Sequence, residues 1–594
     1  MKGAIQSLIS KGAISVVNPC PQQFISTLFL VEKGQGTGEF RPVINLKALN
    51  RFLPKEKFKM EGLHTARSLL RKGDYMMKLD LKDAYYAVPI HPESRKYLRF
   101  QFKGTTYEFR CLPFGLSLAP RVFTRILRPI VAKLRSEGIR TVIYLDDLLL
   151  IHHQKDTLSE IFLYVRRLLS SLGFIVKLEK CSPEPTRRLV FLGAVLDTTY
   201  MSVALPEEQI HRIQRACQEM LESRSTSLGG LSSLLGRMSH AARTGLWIAP
   251  LYYRALQRQQ ALLLHRFGWR PRCRTSLSTP SLEDLRWWVS SAPHDRNSQD
   301  ISPPPFDLTI RTDASLRGWG ATCNGTSTGG RWSVEEAGQH INCLELKAAI
   351  LALKAFLRVG IQPPPQSLGC HPPRHILLEM DNTTAVAYVN RKGGTQSPSL
   401  SLLALELWSF LLTQGSWVTA RHLPGVLNVE ADTASREFNV RTEWMLRQDV
   451  FQDITRHFYV PEIDLFASRL NHQLPLYVSR LPDPSASAVD AFRLDWSQWK
   501  SFIHPPVVLL PRILQKVRSD KATALLVAPD WPGQPWYAQI QLMLAGTPYP
   551  LPKEKSLLSL PFDQEAVHPL WRSLNLTVWP ISGQLTRRQV SLKR

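Results

Sequence analysis

Val142-Ile143-Tyr144-Leu145-Asp146-Asp147-Leu148-Leu149-Leu150-Ile151 sets two adjacent carboxylates in the middle of an apolar run. Burying unpaired carboxylates is expensive or forces their protonation, so the pair calls for a compensating cation or a sharp, solvated turn. A hairpin meets both needs. Residues 141–145 and 148–152 read as antiparallel strands with Asp146 and Asp147 at the tip. Upstream, Lys78-Leu79-Asp80-Leu81-Lys82-Asp83-Ala84-Tyr85 places a third acid at the end of the β-rich stretch 75–79, beside the hairpin on the same sheet. Three such acids suit Mg²⁺, which takes oxygen ligands and keeps positions open for substrate phosphates. Two ions roughly 3.5–4 Å apart suit activation of a 3′-hydroxyl and stabilisation of departing pyrophosphate. The competing reading is an acidic surface turn, because Asp is common in turns.

The surroundings of this run resemble the reverse transcriptases of long-terminal-repeat-type retroelements, in that family's own order over the first 200 or so residues. Phe40-Arg41-Pro42-Val43-Ile44-Asn45-Leu46 resembles the fingers motif, which implies that Arg41 contacts the incoming triphosphate. The resemblance makes Asp80 the first catalytic aspartate and Tyr85 the ring that crowds a ribose 2′-hydroxyl. Leu112-Pro113-Phe114-Gly115-Leu116 with Ala119-Pro120 resembles the loop and helix that support nucleotide and template, so Phe114 and Gly115 are expected at the nucleotide site. Many retroviral enzymes carry glutamine where Phe114 stands. Lys180-Cys181 and Phe191-Leu192-Gly193 resemble the lysine-bearing segment and the primer grip. Physically, the forked donors of Arg41 match phosphate oxygens and Gly115 permits close backbone approach. Lys180 reads equally as a general acid toward pyrophosphate or as a solvated surface lysine.

A second acidic series follows Pro303-Pro304-Pro305, a stretch that reads as a linker because proline excludes regular helix and central strand. Asp313 ends the strand-like Thr309-Ile310-Arg311-Thr312. Glu345 opens a helix with apolar i, i+3, i+4 spacing, and Asp381 follows Ile376-Leu377-Leu378-Glu379-Met380. Asp432 lies in Asn428-Val429-Glu430-Ala431-Asp432, downstream of His422. This order resembles ribonuclease H. The resemblance implies that Asp313, Glu345, Asp381 and Asp432 hold two Mg²⁺ ions that activate water on the RNA strand of a hybrid. The resemblance also implies that His422 assists proton transfer or product release. Singly, each acid reads as a solvated surface charge. Residues 362–373, with Cys370-His371, read as an insertion loop, and a Cys-His pair without CxxC company assigns no zinc.

Composition agrees with these readings. The 594 residues suffice for three or four domains, 44% are hydrophobic, and the net charge of +25 suits a polyanion partner bound by counterion release. Eight cysteines at 20, 111, 181, 217, 273, 323, 343 and 370 show no paired spacing and read as reduced thiols. No apolar run approaches the roughly 18 residues of a membrane span. Lys11 interrupts the first 17 residues, which lack a signal-peptide core. The expected location is intracellular, cytoplasmic or nuclear, without secretion or a membrane partner. The closing stretch from Arg587 to Arg594 is basic but dilute.

Residues 205–264 carry helical periodicity broken at Gly229-Gly230 and Pro250. Arg237, His240, Arg243, Trp247, Tyr252, Tyr253 and Arg254 read either as a thumb and connection gripping the template-primer backbone or as the polar face and core of a plain bundle. Beyond 438, the segments 462–468, 505–510 and 524–529 read as buried strands of a small α/β sheet. The run Asp464-Leu465-Phe466-Ala467-Ser468-Arg469-Leu470-Asn471, then Asp490-Ala491-Phe492 and Asp530-Trp531-Pro532-Gly533, resembles the tail of DIRS-like, tyrosine-recombinase retrotransposons. It is also weakly similar to phage-type adenine methyltransferases. His504-Pro505-Pro506-Val507 replaces the Asn-Pro-Pro-aromatic motif that would hold a flipped base, so a scaffold or nucleic-acid-binding role is expected.

The expected architecture is α+β and α/β multidomain: reverse transcriptase fingers and palm at 1–204, helical thumb, connection and linker at 205–300, a ribonuclease H domain at 301–437, and a degenerate methyltransferase-like domain at 438–594. The resemblance implies an RNA-directed DNA polymerase with ribonuclease H. It would use two Mg²⁺ per site, with Mn²⁺ possible, on RNA template, DNA primer, deoxynucleoside triphosphates and RNA–DNA hybrid. No protease triplet, His-His-Cys-Cys pattern or recombinase tetrad is evident, so the element's recombinase and coat proteins are expected on other chains. The competing reading is a silent or adopted relic that binds RNA and DNA.

Overall fold

The computed structural model describes residues 1–32, 40–54, 56–290, 298–302, 305–357, 375–438, 443–563 and 565–584. Pro303 and Pro304 of the expected linker, the loop 362–373 and the closing stretch from Arg587 to Arg594 lie outside the described residues. The chain divides into two compact units, Met1–Ala249 with Trp269–Pro303, and Pro250–Gly268 with Pro304–Arg594. No helix of the described residues is long and apolar enough to cross a membrane.

In the first unit the acidic hairpin forms as strands Arg140–Tyr144 and Asp147–His152, with Tyr144 opposite Asp147. Leu145 takes a positive φ of 54° to close the turn. The strand Tyr75–Lys82 pairs on the other side, and it runs past Asp80 rather than ending there. One face of this sheet packs Leu79, Leu148 and Leu150 against Phe123 and Leu127 of helix Ala119–Ser136 and Val165 of helix Lys155–Ser171. The opposite face packs Met76, Val142, Leu149 and Ile151 against Phe191, Leu196 and Val203. Covering both faces explains why the run Leu148 to Ile151 is continuously apolar and buried instead of alternating.

The glycines at 229 and 230 do not break a helix. The interruption is Ser225–Ser227, and helix Leu228–Thr244 begins through the glycines, with the Ser227 hydroxyl accepting from Gly230 N–H at 3.0 Å. A Cβ on Gly229 would sit 3.0 Å from the Pro271 carbonyl oxygen, so the glycine serves a close approach of two chain segments. Nor is 205–300 a single module: helix Arg254–Phe267 belongs to the second unit, where the Arg254 guanidinium donates to the Arg391 and Lys392 carbonyls.

Among the described residues the second unit holds two five-stranded sheets and two short two-stranded ones. The first runs in the order Thr326–Arg331, Gly318–Cys323, Leu308–Ala314, His375–Met380, Trp417–His422, antiparallel across the first three strands and parallel across the last three. Helix Ile341–Leu357 packs on it and is buried nearly all round, which suits its Leu- and Ala-rich composition. The second sheet runs Ile463–Asp464, Lys500–Ile503, Thr523–Pro529, Leu576–Ser582, Tyr549–Pro550, parallel across the first three. The expected strand at 505–510 is absent. Lys500–Ile503 is the strand instead, because Pro505 and Pro506 lack the N–H a ladder needs, and the chain turns into helix Leu510–Ser519.

A buried ion cluster joins the two sheets. Arg469 donates to both carboxylate oxygens of Glu336 at 3.0 and 2.9 Å, and Lys347 lies 2.9 Å from the same group. Burial disfavours the Glu336 charge, but Arg469, the Ser333 amide and Lys347 outweigh it and hold the carboxyl down to about 2. Because the folded value is depressed, this stability is present above the ordinary carboxylate range and is lost as pH falls from about 4.5 toward 2. Acid titration of Glu336→Gln should lack that portion of the unfolding profile. Glu336→Ala, which strands two cations, should cost about 3–5 kcal/mol in denaturant melts at neutral pH.

Candidate active sites

The first acid group sits at the end of three neighbouring strands of one four-stranded sheet. Asp80 and Asp147 are directly opposed partners, and Leu81 N–H donates to the Asp146 carbonyl at 2.9 Å, locking the turn against the neighbouring strand. Asp80 is only 6% exposed. Burial raises the Asp146 carboxyl above its usual range, and Asp147 and Asp80 add to the rise. The carboxylates are not left unopposed: Lys78 Nζ lies 2.7 Å from Asp147 Oδ1, and Lys180 Nζ lies 3.8 Å from Asp80 Oδ2. Lys180 is carried there by the turn Leu178–Lys180, anchored by Lys177 N–H to the Asp80 carbonyl at 2.8 Å. Lys78 was not singled out from the sequence, although its two-residue spacing from Asp80 on a strand puts both on one face.

Tyr85 stands beside these acids with its hydroxyl pushed up to about 12, by burial first and then by Asp146 and Tyr144. Its ring centroid is 5.1 Å from Phe114 and 5.5 Å from Phe123, so Phe114 builds the aromatic wall that holds it. Gly115 has φ +110°, and a Cβ there would lie 2.5 Å from the Ile44 carbonyl oxygen. Only glycine permits that approach, and Asn50 fastens the loop through Gly115 O and Ser117 N–H, each at 2.9 Å. Arg41 lies in strand Phe40–Ile44 with its backbone paired to Val31, and its side chain lies outside the described residues.

An open groove of about 640 Å³ in the same unit is lined by His64, Arg67, Leu192, His240 and Arg243. Gly193 has φ +77°, and His240 Nε2 is 3.0 Å from where its Cβ would be. Arg237 and Arg243 are exposed, whereas Tyr253 is buried. Reversing Arg237 and Arg243 to Glu should weaken template binding and flatten its salt dependence by about one log unit per arginine. Unchanged binding isotherms across a salt series would remove these residues from the nucleic-acid track.

The second acid group lies at the ends of adjacent strands and on a helix above them. Asp313 is in Leu308–Ala314, Asp381 directly follows His375–Met380, and Glu345 projects from Ile341–Leu357. One oxygen of each comes within 4.8 Å of the others, and among the described residues no other acid, His or Cys trio is this tight. Burial raises Glu345 to about 9, with Asp381 and Asp313 adding to it, and burial likewise raises Asp313. Glu345 Oε2 is buried without a hydrogen-bond partner. An all-oxygen donor set with mutual repulsion and an orphaned buried oxygen fits a hard divalent cation. Asp432, expected as a fourth ligand, lies outside the trio and pairs with Arg436 at 2.7 Å. Its helix neighbour Ser435 donates to Asp313 Oδ2 at 2.7 Å. His422 ends strand Trp417–His422, exposed, with Met380 as its register partner.

Residues 31–196 match the family model "Reverse transcriptase (RNA-dependent DNA polymerase)". Polyprotein P3 of Commelina yellow mottle virus is 24% identical over 456 residues, 72% of this chain and 22% of that protein. The enzymatic polyprotein of Cauliflower mosaic virus (strain NY8153) is 24% identical over 447 residues, 72% of this chain and 59% of its own length. Protein P of Duck hepatitis B virus (strain China) is 30% identical over 190 residues, 31% of this chain and 24% of that protein. The chain thus spans less than a quarter of two of these relatives. Among solved structures, the foamy viral protease-reverse transcriptase in complex with RNA/DNA hybrid is similar at 18% identity and TM-score 0.42, covering 74% of this chain and 56% of that one. The matched segment encloses Asp80, Asp146 and Asp147, and the first unit therefore contains a reverse transcriptase domain whose relatives are viral polyproteins.

Proposed function

We propose that the chain is an RNA-directed DNA polymerase joined to a ribonuclease H, which copies retroelement RNA into DNA and then cleaves the RNA strand of the hybrid. One observation carries the reading: each compact unit has its own group of neighbouring acids, and the first lies inside the reverse transcriptase match. Asp80, Asp146 and Asp147 would hold Mg²⁺ or Mn²⁺ in the first unit. Asp313, Glu345 and Asp381 would do so in the second, with Asp432 beside them. When bound, such ions neutralise charge on phosphate oxygens and favour the deprotonated nucleophile. The chain's own groups do the positioning. Tyr85, braced by Phe114, walls the sugar; Gly115 lets a ligand approach backbone; Lys180 stands where it can donate a proton to the leaving group; Arg41 takes the triphosphate. His422, at the end of the strand beside the one that leads into Asp381, would serve proton transfer.

The partners in this reading are an RNA template, a DNA primer, deoxynucleoside triphosphates and RNA–DNA hybrid. The tail beginning at Asp464 supports a DIRS-like element as the source, with recombinase and coat proteins encoded separately. The Lys78–Asp147 ion pair favours a second reading, a relic that binds nucleic acid with its first site closed by an internal lysine. The test is Mg²⁺-dependent extension of a DNA primer on RNA by the purified chain. Synthesis supports the polymerase. Retained hybrid binding without synthesis selects the relic.

A further inference from the structure

We propose that the carboxy-terminal sheet binds a nucleoside moiety, base and sugar, in a cavity at the carboxyl ends of its three parallel strands. The site is independent of both acid groups. The cavity measures about 570 Å³, within the roughly 300–1,000 Å³ of small-molecule sites. Its wall is made by the residues that directly follow each strand: Phe466 and Ser468 after Ile463–Asp464, His504 and Pro506 after Lys500–Ile503, and Pro529 closing Thr523–Pro529. Open α/β sheets take ligands in this crevice, where successive connections part from the strand ends. Here Pro505 and Pro506 force the parting, since neither can continue the ladder.

The lining chemistry points to a nucleoside. His504 lies deep in the molecule yet keeps accessible surface, because that surface faces the cavity. Its ring nitrogens have no hydrogen-bond partner among the described residues, and burial pulls it down to about 4. At neutral pH it is an uncharged imidazole offering one donor and one acceptor, the complement of a base edge. Beside it Phe466 and Phe492 stand edge to face at 5.6 Å, and the Arg512 guanidinium lies 3.7 Å from the Phe492 ring centroid. Aromatic rings and guanidinium planes are the surfaces on which bases stack. Glu443 and Asp490 also line the cavity and can accept from sugar hydroxyls. The first strand is followed by Leu465-Phe466-Ala467-Ser468, without the glycines of a phosphate-cradling loop, and Arg512 is engaged by Phe492. Recognition in this cavity therefore rests on base and sugar, and among the described residues Arg480, exposed at the lining, is the one further cation there that a phosphate would meet.

The same chemistry is offered by a free nucleoside and by an unpaired residue of a nucleic-acid strand. Binding of adenosine, cytidine, ATP and a single-stranded oligonucleotide to the full chain would be followed by calorimetry and by fluorescence of Trp444, which lines the cavity. Two variants are compared, His504→Ala and the cavity-filling Val507→Trp, with thermal melting to verify folding. At least a tenfold loss of adenosine or cytidine affinity in the folded variants supports a free-nucleoside site. A tenfold loss confined to the oligonucleotide supports capture of a strand's base. Nucleoside and oligonucleotide binding unaffected by either variant, or absent in the parent, overturns the proposal. So does ATP binding that exceeds adenosine binding and responds to both variants.

Discussion

RNA-templated synthesis by the Asp146→Asn chain is expected to fall by roughly 10²–10³-fold or more, the scale on which one charge-stabilising group matters in a preorganised site. Hybrid cleavage by the same protein should stay within about twofold of the parent, because the two acid groups belong to separate compact units and share no partner, and independent sites behave additively. Asn keeps the shape of the turn that Leu145 closes and removes only charge. Asp146 sits exposed at the turn, with its carboxyl raised by desolvation against the protein and then by Asp147 and Asp80, so losing its charge relieves repulsion, and the first unit should melt no lower than the parent. Lost synthesis with an unchanged melting temperature then reports chemistry. Lost synthesis together with lost cleavage in a folded protein would refute two separate sites.

Asp381→Asn should give the mirror result, with hybrid cleavage lost by a similar factor and primer extension retained. In metal-free buffer this variant carries a further sign. Asp381 is a leading charge raising Glu345 after burial, and it also raises Asp313. A carboxyl whose folded value is raised costs stability as pH climbs from its ordinary range toward about 9. Removing Asp381's charge should therefore raise the melting temperature of the second unit at pH 8 more than at pH 5. Added Mg²⁺ should stabilise the parent more than the variant, since a ligand that binds only the folded state shifts unfolding by mass action. Equal stabilisation of both proteins by Mg²⁺ would place the cation elsewhere.

The local elements were legible wherever the signal was short-range. The hairpin around Asp146-Asp147 follows from two acids between β-branched and Leu residues, and strand Arg140–Tyr144 differs by one residue from the reading at 141–145. The helix bearing Glu345 follows from its apolar spacing, and its near-complete burial explains why apolar residues spill beyond one face. Errors arose where a residue's role depends on a distant neighbour. Gly229 looks like a helix breaker until Pro271 packs against it, and Pro505-Pro506 sat in an apolar run that resembles a strand until the ladder had to be satisfied. Helix Arg254–Phe267 follows residues of the first unit in sequence, and its tertiary contacts, among them those of Arg254 with the Arg391 and Lys392 carbonyls and of Arg258 with the Gly394 carbonyl, place it in the second.

Residue type and order alone determined which acids are candidates, because an isolated carboxylate in an apolar strand demands a chemical reason regardless of topology. The tertiary structure alone decided which of them meet. Sheet register opposes Asp80 to Asp147, and the strand order that sets His375–Met380 beside Leu308–Ala314 brings Asp313, Glu345 and Asp381 together while Asp432 turns to Arg436. It also decided the countercharges Lys78 and Lys180 and the Arg469–Glu336–Lys347 cluster. Electrostatic partnership depends on separations of a few ångströms across chain segments that lie up to a hundred or more residues apart in sequence, and nothing in the local pattern of either segment encodes that distance.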